Sequence, residues 1–279
     1  MKADLHIHSD CSDGSDSIKE LAKVVNESGL KIVALTDHDT TAGLVEFEKL
    51  LSDDIKFIKG IELTCLAGDI KCHLLGYNIN PETSELKELI LKGKKLRRIK
   101  LDTRIEYLKN VWKIELTKEE SDWLYSRHSV VKTHLANILV NRGLADSNLS
   151  AMKKYLDDCK TGNTRFDGIE AIDVIKISGG IPVWAHPLGG EGEEHISQEL
   201  FLNRLEKMKQ YGIQGIECYY SRYNKVEIEF LLKTANENDL YITGGSDYHG
   251  TNKDIPLGKL NTENMQINSD KLSILERLC

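Results

Sequence analysis

Proline is scarce in this 279-residue chain, at 4 residues, and the aromatic residues together make up only 6%. Both shortages disfavour a many-turned β-sandwich. Long apolar runs are missing as well. None approaches the roughly 18 residues needed to span a bilayer, and the opening Met1-Lys2-Ala3-Asp4 carries one basic residue and no apolar h-region, so neither a membrane span nor a signal peptide is expected. The six cysteines (Cys11, Cys65, Cys72, Cys159, Cys218 and Cys279) form no CxxC pair and no small-domain framework. In a chain this long they read as reduced cytosolic thiols, several of them buried as small hydrophobes. Positive charge is in deficit, with 37 Lys+Arg against 44 Asp+Glu and a net −7, which excludes a protein that coats nucleic acid generically. What remains is ordinary globular usage, 40% apolar and 29% charged, at a length suited to one large domain or two smaller ones. A soluble cytoplasmic enzyme is expected.

Short apolar runs alternate with amphipathic stretches from the start. Strands are expected at Ala3–His8, Lys31–Thr36, Ile55–Thr64 and Lys71–Tyr77, and helices at Ser17–Ser28, ended by Gly29, and Thr41–Leu51. That βαβα rhythm argues for a parallel sheet with helices packed outside it. It breaks near Asn78-Ile79-Asn80-Pro81, and only helical patterns follow: Glu85–Val111, Lys118–Tyr125, Val130–Val140, closed by Gly143, and Leu149–Leu156. Strand-like runs return at Ile181–His186, Gly215–Tyr220 and Leu240–Thr243, separated by helical stretches at Gln198–Gln210 and Val226–Asn236. A helical block inside a βα series reads as an insertion in one connecting loop of a barrel. Charge divides the chain in the same place. Residues 78–167 hold 18 Lys+Arg against 13 Asp+Glu, a net +5, which leaves −12 on the remainder. An acidic body suited to cations thus carries a basic lobe suited to anions, although the run Lys92–Lys100 by itself reads as a solvated helix face.

Histidines and carboxylates gather where the expected strands end. His6 and His8, two apart on a strand, point to one face and can reach one metal ion, and barrel active sites lie at the C-terminal ends of the strands. Asp13 follows in a polar loop. Thr36-Asp37-His38-Asp39 closes the second strand, after the apolar Ile32-Val33-Ala34-Leu35. Glu62 sits among Ile58, Ile61 and Leu63, where an unpaired charge would cost several kcal/mol; a cation resolves that cost, and a carboxylate between two metals can bridge them. His73 lies on the next apolar run, His186 ends a strand stopped by Pro187, and Asp247 and His249 end the last strand between glycines that admit close backbone approach. His128 and His195 lie in polar stretches and read as surface residues.

His6-x-His8, Asp13, Thr36-Asp37-His38-Asp39, Glu62, His73, Ala185-His186-Pro187 and Gly245-Ser246-Asp247-Tyr248-His249 resemble, in order and over about residues 2–250, the PHP (polymerase and histidinol phosphatase) family. The resemblance implies an α/β fold, a distorted (β/α)7 TIM-like barrel formed by residues 1–77 and 168–279, with an all-helical cap inserted at 78–167. It implies a trinuclear site at the strand ends: His6, His8, Glu62 and Asp247 on the first metal, Glu62, His73 and His186 on the second, and Asp13, His38 and His249 on the third. Asp13 stands where some histidinol-phosphatase members carry His, which favours Mn²⁺; Fe²⁺ and Zn²⁺ also suit the mixed donor set, and two or three divalent ions are expected. The insertion is similar to the cap of members acting on nucleotides or short RNA, the nucleoside 3′,5′-bisphosphate phosphatases and the bacterial 5′–3′ exoribonuclease type. Their Arg-Pro-His-like segment reads Lys132-Thr133-His134 here. Lys keeps the charge of Arg but loses its bidentate fork. The resemblance implies substrate contacts from Lys132 and His134, and catalytic roles for Asp247, Glu62 and His134, the last as a proton donor.

Such a site needs no nucleophilic side chain. Neighbouring divalent metals lower the pKa of bound water, supply hydroxide near neutral pH and neutralise charge on phosphoryl oxygens. A metal-dependent phosphoesterase acting on a small phosphorylated substrate (a nucleotide, a bisphosphate nucleotide or a short RNA) is therefore expected, with no membrane and no stable nucleic-acid partner. Two other readings stand beside it. Amidohydrolase barrels also open with HxH, but they usually end on a lone Asp and lack the TDHD segment. A metal-binding PHP module without turnover would be a different class, separated by assaying phosphate esters with Mn²⁺.

Overall fold

The computed structural model describes residues 2–191, 193–260 and 265–279. The chain opens with β1 (Ala3–Ile7), α1 (Ile18–Ser28), β2 (Ile32–Leu35), α2 (Leu44–Leu50), β3 (Lys56–Ala67) and β4 (Ile70–Tyr77). A capping box between Ser17 and Glu20 starts α1 and satisfies backbone amides that the helix end leaves free, and Gly29 ends it in the left-handed region at φ 77°. Next come α3 (Ser84–Trp112), α4 (Lys118–Ser126), α5 (Lys132–Asn141) and α6 (Asn148–Ala151), the last running into a π turn at Met152–Leu156. The series resumes with β5 (Phe166–Asp167), α7 (Gly168–Ile177), β6 (Ile181–Trp184), α8 (Gln198–Tyr211), β7 (Gly215–Tyr220), α9 (Lys225–Glu237) and β8 (Tyr241–Gly245). It finishes on the small pair β9 (Lys259–Leu260) and β10 (Met265–Gln266) and the turn of helix α10 (Leu275–Leu278).

The main sheet runs β1-β2-β3-β4-β6-β7-β8, with β5 beside β3. Its neighbours are parallel except at β4, which is antiparallel to both β3 and β6. The all-parallel expectation is corrected there, and the reason is length. Only Gly68 and Asp69 separate β3 from β4, whereas a parallel crossover needs about a dozen residues, so β4 folds straight back. Because it is reversed, His73, opposite Thr64, reaches the same end of the sheet as the C-termini of the parallel strands.

The seven strands form a nearly closed barrel. Ile7 bridges Tyr248 in parallel, and the buried Asp4 carboxylate accepts hydrogen bonds from the Ser246 amide (2.9 Å), the Ser246 hydroxyl (2.5 Å) and the Gly258 amide (2.7 Å). Gly245 is required at this seam, since a Cβ there would lie 2.3 Å from His6 Cβ. One apolar cluster joins strands to the surrounding helices, through Leu21, Phe47, Ile172, Phe201 and Leu231. A second joins Leu5, Ala34, Leu75 and Val183 to the C-terminal Leu272, Ile274 and Leu275. The inserted helices hold a third, among Leu101, Leu108, Leu124, Leu135 and Leu139. Helix α3 serves two clusters, since its Leu86 and Leu89 belong with the barrel helices.

Candidate metal centre and active site

Glu62 lies in the middle of β3, 1% exposed, and five imidazoles converge on its carboxylate. His6 Nε2 (3.1 Å), His8 Nε2 (3.1 Å) and His38 Nδ1 (3.3 Å) face Oε2. His73 Nδ1 (2.9 Å) and His186 Nε2 (3.2 Å) face Oε1. Asp247 Oδ1 closes the first side, 3.5 Å from His6 Nε2 and 3.3 Å from His8 Nε2. Asp13 forms a further corner, with Oδ1 3.2 Å from His249 Nε2 and Oδ2 3.8 Å from His38 Nε2. All nine residues singled out as metal ligands are thus brought to one end of the barrel. Within them, three sets have donor atoms close enough to share one cation: His6, His8, Glu62 and Asp247; His38, Glu62 and His73; and His8, Asp13, His38 and His249.

The electrostatics are those of ionised carboxylates set among imidazoles. Burial opposes ionisation of Glu62, but His38, His6 and His73 outweigh it and hold the carboxyl well below its usual range. Asp13 is lowered in the same way by His249 and His38, and Asp247 by Lys253 and His249. Burial also works against a charged His8, yet the Asp247 and Glu62 carboxylates beside it raise it to about 9, and Glu193 and Glu62 raise His186 to about 10. His38 and His249 go the other way, pushed down chiefly by burial. Both ring nitrogens of His8, Nδ1 of His38 and Oδ1 of Asp13 are buried without a hydrogen-bond partner among the described residues. Buried polar atoms are normally paired, and lone pairs left facing one another around shared carboxylates fit cations between them.

Backbone strain marks the same strand ends. Asp39, His186 and Asp247 all adopt positive φ (55°, 29° and 55°), which is costly for residues other than glycine. Surrounding bonds fix these turns. Asp37 accepts from the Ser9 amide (2.9 Å), the Ser9 hydroxyl (2.6 Å) and the Ser12 hydroxyl (2.5 Å), so it anchors the Asp13 loop. Arg97 of α3 donates Nε to Asp39 Oδ2 (2.6 Å), Nη1 to the Val130 carbonyl (3.2 Å) and Nη2 to Thr64 Oγ1 (3.3 Å). Tyr220 OH (3.0 Å) and Lys253 Nζ (2.5 Å) both donate to Asp247 Oδ2.

Two carboxylates at the site escaped the sequence reading. Glu217 of β7 is fully buried; Oε1 lies 2.9 Å from His6 Nδ1, and Oε2 accepts from the His186 amide at 2.9 Å. A carboxylate on the far ring nitrogen fixes the tautomer and leaves Nε2 free towards the centre. Its signal was present, because Gly215-Ile216-Glu217 repeats Gly60-Ile61-Glu62. Glu193 lies 3.5 Å from His186 Nδ1.

The centre floors a cleft of about 410 Å³, roofed by inserted helices and walled in part by Lys132, Leu149 and Met152. Lys132 reaches the wall, where its ammonium pairs with Asp157. His134 is not brought to it. Its ring is 4% exposed, accepts from the Val131 amide at Nδ1 (3.0 Å) and stands edge-on to Trp123, and burial lowers its pKa to about 4. His128 is exposed, as expected; so is His195, which pairs with Glu227 at 2.8 Å.

A barrel that gathers six histidines and three carboxylates at its strand ends, under a basic cap, is the framework of a metal-dependent phosphoesterase. Residues 4–162 match the PHP domain family, and the chain belongs to it. The chain is 29% identical over 265 residues to a 5′-3′ exoribonuclease of Haemophilus influenzae (92% of this chain, 93% of the relative). It is 27% identical over 253 residues to a 3′,5′-nucleoside bisphosphate phosphatase of Chromobacterium violaceum (88% and 86%). A solved structure described as a metal-dependent phosphoesterase, from Bifidobacterium adolescentis, superposes with a TM-score of 0.82 at 26% identity, covering 99% of this chain and 95% of the other. The chain is a hydrolase of phosphate esters. Among the described residues no helix is long and apolar enough to cross a membrane.

Proposed function

We propose that this phosphoesterase acts on nucleotides or short oligonucleotides, and that two or three divalent cations, Mn²⁺ foremost, are held by the nine converging residues. The supporting observation is the Glu62 carboxylate, met by five imidazole nitrogens at 2.9–3.3 Å. Glu62 Oε2, His6, His8 and Asp247 would hold one cation, Glu62 Oε1, His73 and His186 a second, and Asp13, His38 and His249 a third. Cations there would activate water and neutralise charge on the phosphoryl oxygens. The chain's own residues set the geometry: Glu217 orients His6, Tyr220 and Lys253 fix the Asp247 carboxylate, and Asp37 and Arg97 hold the loops that carry Asp13 and His38. His134, next to the backbone of Ser12 and near Asp13, supports that loop from behind, and Lys132 contributes positive charge to the wall of the cleft.

Residues 78–167, with their net +5, form the lobe that receives the substrate's remaining phosphates, and Leu149 and Met152 offer a nucleoside an apolar surface. The relatives named for nucleotide and RNA substrates support this reading, and the six unpaired cysteines suit the cytoplasm. The test is release of inorganic phosphate and of mononucleotides, with Mn²⁺, from nucleoside 3′,5′-bisphosphates and from short 5′-phosphorylated RNAs. Turnover of either supports the reading, whereas turnover of simple phosphate esters alone sinks it.

A further inference from the structure

The inserted helices grip the strand-end turns that carry Asp13, His38 and His249. Arg97 of α3, 9% exposed, crosses to Asp39, the residue after His38. Asp39 accepts from the Thr64 amide at Oδ1 (2.9 Å), and its own amide donates to the Glu62 carbonyl (2.9 Å). The guanidinium thus closes a clamp around the positive-φ turn beside His38. Between α4 and α5, the Arg127 guanidinium donates to the Asp10 carbonyl and the Ser129 amide to the Cys11 carbonyl (3.2 Å), and Arg97 holds the same segment by the Val130 carbonyl. At the start of α6, Asn148 Nδ2 donates to Asn252 Oδ1 (3.4 Å), and Asn252 Nδ2 in turn to the Asp13 carbonyl (2.8 Å). The turn that carries His186 is held differently, from β7 and the turn after it, by Glu217, Tyr220 and Tyr223. Among the described residues it takes no hydrogen bond from the inserted helices.

We propose that Arg97 is a positioning residue for the cation shared by Asp13, His38 and His249, and that seating of the inserted helices and filling of that site are one linked equilibrium. This rests on the three-cation reading above and adds a distinction among the sites. His6, Glu62 and His73 of the other two sets lie within strands β1, β3 and β4, where the sheet itself fixes them. Asp13 and His38 lie on turns, whose backbone the sheet constrains least, and the cap supplies the missing anchors. Outer partners of metal ligands commonly set affinity by about 10- to 100-fold. Linkage is reciprocal: whatever a seated cap adds to the affinity of that cation, the cation adds to the stability of the seated cap.

The experiment compares Mn²⁺ isotherms of the whole protein, by equilibrium dialysis, for the wild type, Asp13→Asn, Arg97→Met, Arg97→Lys and Arg127→Ala. Asp13→Asn marks the step that belongs to this site. Arg97→Met should weaken the same step about tenfold or more and leave the others in place, and Arg97→Lys, which keeps the charge, should recover part of the loss. Arg127→Ala, which removes one anchor at the rim, should weaken the step less. Amide hydrogen exchange over residues 127–141 gives the reciprocal readout. In the wild type it should slow as that step fills, and in Arg97→Met it should not. An arginine with a merely structural role would lower the melting temperature and leave both the step and the exchange response unmoved, which overturns the proposal. If Arg97→Met fails to fold, because Asp39 is left buried and unpaired, Arg127→Ala decides: a weakened step upholds the linkage and an unmoved one overturns it. A step lost in Asp13→Asn but intact in Arg97→Met overturns this inference alone. An isotherm unchanged in Asp13→Asn overturns the third cation itself, and the linkage with it.

Discussion

At Asp247 two demands meet in one carboxylate. Oδ1 faces His6, His8 and His249 (3.5, 3.3 and 3.4 Å), while Oδ2 is held by Tyr220 OH and Lys253 Nζ. Asp247→Asn keeps the shape but removes the charge from Oδ1, so hydrolysis should fall about a hundredfold or more, the scale of electrostatic stabilisation lost at such a centre. The protein should still fold, and near wild-type rates would show that Asp247 holds no cation. Glu217 acts one step further out. Glu217→Gln retains an oxygen near the His186 amide but loses the anion that holds His6 in one tautomer, and changes of this kind cost about 10- to 100-fold in metal affinity. Titrating activity against free Mn²⁺ should show a rightward shift that saturating metal largely restores, and an unmoved curve would reduce Glu217 to packing. The two residues also differ in legibility. Asp247 stands out because a carboxylate and a histidine two apart, between glycines, have no packing reason to end a strand. Glu217 is hidden inside an apolar strand, and only its likeness to the Glu62 segment betrays it.

Strands deliver these side chains, and their closeness is part of the delivery. At Gly245 a methyl group would be forced to within 2.3 Å of His6 Cβ and 2.4 Å of the His6 amide nitrogen. Gly245→Ala must part β8 from β1, a form of overpacking that costs about 1–3 kcal/mol, and it moves His6 relative to Asp247. Chemical denaturation should report the loss and the metal-loaded enzyme should be impaired; a variant with unaltered stability would mean that the seam is slack. Elements with a clear pattern were legible: β1, β2 and β7 are short runs buried on both faces, which keeps them apolar nearly throughout, and α8 follows the 3.6-residue repeat. The direction of β4 was not, since periodicity is the same for a strand read either way, and only the two-residue connection through Gly68-Asp69 carries that information. β5 escaped too, since two residues are too short to show an alternation, and the sharing of α3 between two apolar clusters depends on tertiary packing that no local window contains. His134 shows the same limit. Its place in the Lys132-Thr133-His134 segment suggests a substrate contact, whereas the ring accepts from the Val131 amide, packs against Trp123 and is not among the residues lining the cleft.

For the whole molecule, the barrel with cations bound and the barrel without them should answer pH differently. Without metal, the ionised carboxylates hold protons on neighbouring imidazoles, and His8 rises from 6.5 to about 9 and His186 to about 10. A histidine whose folded pKa is raised lends stability that is fully present below its unfolded value and is lost as pH climbs through the folded one. The chelated protein should therefore lose melting temperature between about pH 7 and pH 10. In the loaded protein the proposed ligation would keep the same nitrogens neutral, so that loss would have no source, and bound metal would add stability according to its occupancy. Melting curves with Mn²⁺ and with chelator, at pH values across this range, should diverge as pH rises. In addition, Mn²⁺ binding near pH 7.5 should release protons, detectable as a dependence of the binding heat on buffer ionisation enthalpy. Parallel melting curves, with a binding heat indifferent to the buffer, would mean that the imidazoles are already unprotonated before metal arrives, and the proton-sharing account of the empty cluster would fall.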